Sequence, residues 1–159
     1  MRKKSKYKPR PVLLNPMGYV IESMTPVSQH ESFLIDVKIK THMALMNMTQ
    51  GKAVRGDVDT LIQAVNVVEA LYRMGFGIEY GDVMRDGSNA LHSVGVRGAK
   101  SGQFILRSDE MKALNTIMEL HDAQLEVITL KDMERAYKLV VEEFRQKKMR
   151  PIVTREEMV

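Results

Sequence analysis

The 159 residues carry 24 Lys and Arg against 20 Asp and Glu, 44% hydrophobic side chains, 13 Met and neither Cys nor Trp. The balance is globular rather than disordered, and without cysteine there is no disulfide, thiol nucleophile or cysteine-based metal site. No apolar run approaches the ~18 residues of a membrane span, and no apolar stretch follows the basic start as in a secretory leader, so a cytoplasmic, unprocessed chain is expected.

The charge is segregated. Arg2, Lys3, Lys4, Lys6, Lys8 and Arg10 are all basic, and the first acid is Glu22. The net charge is +4 while Met1–Arg10 alone carries +6, which leaves the rest of the chain about −2. A slightly acidic body with a cationic arm is a different object from a uniformly basic protein. Residues 1–11 hold two prolines and no helical periodicity, and read as a flexible arm. Residues 12–150 read as a single helical domain, large enough to bury roughly two-thirds of the surface its unfolded chain exposes, and 151–159 as a loose tail.

In chain order, Asn15-Pro16 is a helix start, a capping side chain followed by proline at the first helical position, and Thr25-Pro26 ends that short helix near Met24. Ser28 and Glu31 have capping-box spacing for a second helix, whose Phe33, Leu34, Val37, Met43, Leu45 and Met46 are apolar and which Gly51 stops. Asp57 is placed to cap a third. Its Leu61, Ile62, Val65, Val68 and Leu71 form the cleanest apolar stripe, ending at Gly75 or Gly77. Residues 78–102 are harder to read. Gly81, Gly87, Gly95 and Gly98 each cost ~1 kcal/mol against alanine, yet Val83, Met84, Ala90, Leu91 and Val94 keep helical spacing. Gln103–Leu106 reads as a short extended segment. Ser108 opens a helix with Met111, Leu114, Ile117, Met118, His121 and Leu125. Thr129 and Asp132 repeat the capping box for a last helix with Met133, Ala136, Tyr137, Val140, Val141 and Phe144, ended by the cations Arg145–Arg150 and by Pro151. The expectation is an all-α bundle of four to five antiparallel helices with a disordered basic N-terminal arm.

No catalytic signature accompanies this. Glu119, His121 and Asp122 are the one polar cluster, but a di-iron bundle needs Glu-x-x-His and position 118 is Met. His30, His42 and His92 lie in other segments without ligand spacing, so neither metal nor cofactor is expected. Gly95, Gly98, Lys100, Ser101 and Gly102 only superficially suggest a phosphate loop. A helix-turn-helix reading of 53–75 would present Gln63, Asn66, Glu69 and Arg73, a thin and partly acidic set for reading bases.

The arm remains. Arg2, Lys3, Lys4, Lys6, Lys8 and Arg10 suit phosphates, and Tyr7 can stack on a base, which gives nucleic acid, DNA or RNA, as the expected partner and an acidic protein as the alternative. The methionines, Met43, Met46 and Met48 among them, read as core filling. Exposed, they would instead form an adaptable surface for a host enzyme that the protein inhibits or redirects. No sustained heptad seam fixes an oligomeric state, and a homodimer stays open.

Three stretches, RKKSKYKPRPVLLNP, THMALMNMTQGKA and ALNTIMELHDAQLEVIT, resemble uncharacterised short proteins encoded in bacteriophages and prophages of Gram-negative bacteria. The resemblance implies a phage-borne, non-enzymatic helical protein that binds a host factor or nucleic acid. It carries no activity or site residue over to this chain.

Overall fold

The computed structural model describes residues 16–146. The arm, the helix start at Asn15, the cations after Gln146 and the C-terminal tail lie outside the described residues. Six α-helices follow in order: α1 Pro16–Ser23, α2 Glu31–Thr49, α3 Arg55–Arg73, α4 Gly81–Ser101, α5 Ser108–Val127 and α6 Leu130–Arg145. Single 3-10 turns, Val27–Gln29 and Ile78–Tyr80, precede α2 and α4. The all-α expectation holds, with six helices rather than four or five.

α3 is the axis. Val58, Leu61, Ala64, Val65, Val67, Val68, Ala70 and Leu71 are all buried, and at 100° per residue they cover about two-thirds of the helix circumference. Two cores form around it. Val58, Leu61, Val65 and Val68 meet Leu45 and Met48 of α2, Leu91 and Val94 of α4, and Leu114, Ile117 and Met118 of α5. Val67, Ala70 and Leu71 meet Val27, Leu34, Leu125, Ile128, Met133 and Ala136. Gln124, itself buried, ties α5 to this axis by donating from Nε2 to the carbonyls of Val68 at 3.3 Å and Phe76 at 3.0 Å. Near the start of α2, Val27 N donates to Ile128 O and Leu130 N to Thr25 O, so the α1–α2 link is pinned on the α5–α6 link.

The glycine-diluted segment is one helix because its glycines face neighbours. A Cβ at Gly87 would stand 2.6 Å from Ile117 Cβ, and one at Gly98 would overlap the Phe104 ring. The helix cost of these residues is offset by closer approach of α4 to α5 and to the following segment. Residues 103–106 find no strand partner among the described residues. Phe104 and Leu106 pack on the first core while Ile105 faces outward.

Several caps differ from expectation. α3 starts one turn early: its N-cap is Val54, and Asp57 at the third helical position accepts from Val54 N at 2.9 Å. α5 is capped from Arg107, whose N–H donates to Glu110 at 2.8 Å, with Ser108 already inside the helix. Ser28 lies in a 3-10 turn, which separates it from Glu31 and dissolves that capping box. The Thr129–Asp132 box is formed, with Asp132 N donating to Thr129 Oγ1 and Thr129 N to Asp132 Oδ2.

One ion pair is built into the fold. Arg97 of α4 donates through both Nη atoms to the buried Glu110 carboxylate, each at 2.6 Å, and to Ile105 O at 2.8 Å. The Arg97 guanidinium holds the Glu110 carboxyl below its usual range. A carboxyl depressed on folding stabilises fully above its unfolded pKa of about 4.3, and that contribution is lost as pH falls toward the folded value.

Two outcomes follow. Gly87→Ala should lower stability by about 1–3 kcal/mol in urea unfolding through overpacking against Ile117, while Gly56→Ala, with open space around it, should be neutral or stabilising by up to ~1 kcal/mol. Glu110→Gln should cost about 2 kcal/mol at neutral pH, less than a fully buried pair because Arg97 is partly solvated, and should flatten the fall in stability below pH 4.

Candidate interaction surfaces

The sequence-derived cationic residues Arg2, Lys3, Lys4, Lys6, Lys8 and Arg10, with Tyr7, all lie outside the described residues. What the structure places is the point where the body begins. α1 packs on α6, with Tyr19 Oη donating to Glu134 Oε2 at 2.8 Å. Pro16 stands only three residues before Tyr19, about 4.5 Å along the helix, so the described chain starts beside α6.

That side of α6 is cationic. Lys131, Arg135, Lys138 and Arg145 are exposed and share one face at steps of four, three and seven. Lys138 is paired with Glu134 at 2.6 Å. Glu142 lies in the same stripe and takes a hydrogen bond from Gln146, so with Glu134 the face carries four cations and two acids. Spacing alone could have found it. The eye is drawn instead to the run after Arg145, and the Met133-to-Phe144 apolar stripe masks the cations between its members.

The methionine reading is corrected at two of its three positions. Met48 is fully buried, but Met43 and Met46 are 54% and 49% exposed. Ile35 at 46% and Ile39 at 51% lie on the same outer face of α2, opposite the face of Leu34, Thr41, Leu45 and Met48 that packs on the body. α2 is therefore apolar on two opposite sides, the pattern of a helix covered on both. The sequence hid this because two interleaved stripes erase the amphipathic signal of either.

Asp122 lies between two imidazoles. His42 Nε2 is 2.7 Å from its Oδ2, and buried His121 Nδ1 is 3.7 Å from its Oδ1, too far for a hydrogen bond, leaving both atoms without partners. Burial works against the Asp122 charge, but the imidazoles of His121 and His42 outweigh it and hold the carboxyl below its usual range. His42 is the partner that sequence reasoning missed, 80 residues away on α2. Glu119 points to solvent. The chain has no cysteine, and among the described residues no cluster of three His, Cys, Asp or Glu could hold a metal. The shallow groove of about 380 Å³ between α4 and α5, lined by Asp86, Asn89, Ser93, Arg107 and Glu110, lies apart from this trio.

Two other motif readings are removed. Gly95 and Gly98 are buried within α4, so no phosphate loop forms there. α3 is the central helix, and Arg73 is held by Glu69 and Glu143, so it cannot enter a DNA groove as a recognition helix. Among the described residues no helix is long and apolar enough to cross a membrane. No family model, curated protein or solved structure matches the chain.

Mild peroxide should oxidise Met43 and Met46 at least about tenfold faster than Met48, read by peptide mass spectrometry of the folded protein. Equal rates would place all three in the same environment.

Proposed function

We propose that this chain is a non-enzymatic, phage-borne cytoplasmic protein that binds nucleic acid, or a nucleoprotein complex, through its basic arm. The observation that carries the reading is charge segregation: six cations in ten residues on a body of about −2. Arg2, Lys3, Lys4, Lys6, Lys8 and Arg10 are the phosphate partners and Tyr7 the stacking residue. The α6 face of Lys131, Arg135, Lys138 and Arg145 supports it, because it adds cations beside the place where the described chain begins. A polyanion seated on the arm would meet them next.

Fluorescence anisotropy across a salt series tests this. Six phosphate contacts on duplex give a slope of log K against log salt of about −5, and engagement of the α6 cations steepens it by about one per contact. A chain starting at Val12 should lose binding, and Arg135→Glu should weaken it and reduce the slope. Binding that is unchanged without the arm would refute the reading.

A second reading is an interaction protein that inhibits or redirects a host enzyme through the methionine-rich face of α2. The half-exposure of Met43 and Met46 favours it. It expects partner binding to survive removal of the arm and to be lost in Met43→Glu.

A further inference from the structure

The outer face of α2 is more than a scatter of apolar residues. Ser32, Ile35, Ile39, His42, Met46 and Thr49 follow one another at steps of three, four, three, four and three, and all six are exposed. These steps trace an a/d-like stripe over two and a half heptads, and Met43 extends Ile35 and Ile39 into an i, i+4 ridge beside it. None of the seven carries a fixed charge. On one flank stands the cross-helix pair of Lys38 with Glu126 at 2.5 Å, and His42 within the seam is itself tied to Asp122 of α5 at 2.7 Å. On the other flank stand Asp36 and Lys40, both exposed, with no ion-pair partner among the described residues.

We infer that this face pairs with α2 of a second copy, antiparallel, about a two-fold axis near Ile39. That register sets Ile39 against Ile39 of the other copy and Ile35 against Met43, so three of the four apolar residues meet an apolar partner, while Met46 lies against the small Ser32. It also sets Asp36 of each copy on the same flank as Lys40 of the other, about 3 Å apart along the axis. A parallel two-fold pairing would put the second copy's Asp36 and Lys40 on the opposite flank of the seam, where this pair cannot form. The antiparallel arrangement also opposes the two helix dipoles.

Four half-exposed Ile and Met side chains make an apolar strip of roughly 400 Å², a size at which exposed patches on monomers are often functional. A standard interface buries about 800 Å² per partner, so the strip supplies about half and the polar flanks of the 19-residue helix the rest. The interface is isologous and closed, so it makes a dimer and no larger array.

The pairing is independent of the arm, and the experiment uses full-length protein without nucleic acid. Sedimentation equilibrium over about 1–100 μM, the range of a moderate homodimer, should give twice the 18.1 kDa chain mass. Ile39→Glu and, separately, Met43→Glu should raise the Kd at least about 100-fold, because each buries an unpaired charge at the seam, with the helical circular dichroism unchanged. The chain has no cysteine, so Ile39→Cys, lying on the axis, should oxidise to a disulfide-linked dimer. Ile21→Cys on α1, equally accessible, should not. A monomer throughout the concentration range, or a dimer that survives both glutamate variants, would overturn the pairing. A monomer would leave the strip to a different protein.

Discussion

Everything in this body is arranged to cover α3. A helix with about two-thirds of its circumference apolar cannot be satisfied by one neighbour, so α2, α4, α5 and α6 all pack on it. The constraint divides the interior into two cores, with Leu61 and Val68 facing one and Val67 and Leu71 the other. Gln124 is the polar counterpart. It stands where α5 crosses between the cores, and it donates to a mid-helix carbonyl of α3 and to the carbonyl just past its end. Buried amide donors left unpaired cost about 1–3 kcal/mol, so Gln124 also fixes the height of α5 along the axis.

A helix that commits one face to α3 has its other face free to evolve. α5 answers with polar residues, α4 with the Arg97–Glu110 clamp, and α6 with cations. α2 answers with a second apolar strip, and α6 adds Tyr137, Val141 and Phe144, also exposed. The surfaces proposed to meet partners are these outward answers, and they are separable. The cations of α6 lie near the start of the described chain, and the apolar strip of α2 is on a separate face. Pairing through α2 would place two arms on one particle, and a second arm held near a polyanion binds at an effective concentration set by the span between the two.

The parts legible in the sequence were those governed by one short-range rule. Leu61, Val65, Val68 and Leu71 announce α3 because a single stripe repeats without interruption, and Thr129–Asp132 announces α6 because both halves of the box are local. Where two rules compete, the reading fails. Ser28 has the spacing of a cap, but Pro26 and the pairing of Val27 N with Ile128 O draw it into a 3-10 turn. Asp57 and Ser108 are good N-caps by type, yet Val54 and Arg107 take those places because Asp57 and Glu110 reach back one turn to their N–H groups. Gly87 and Gly98 weaken a helix locally and are justified only by Ile117 and Phe104, which no window around them contains. The segregation of charge in residues 1–10 is plain from the sequence, and those residues lie outside the described ones. The α2 seam was invisible because the buried and exposed apolar stripes interleave, so that Leu45 and Met46, neighbours in sequence, point about 100° apart to different faces.

The decisive measurement joins the arm to the seam. An extended ten-residue arm spans at most ~35 Å, or about ten base pairs of duplex. Anisotropy titrations of full-length protein and Ile39→Glu should therefore be run on a duplex of about ten base pairs and on one of about forty, at fixed salt. A dimer with two arms predicts equal affinity of the two proteins for the short duplex, and at least about tenfold weaker binding of Ile39→Glu to the long one. Equal affinities on both lengths would contradict it.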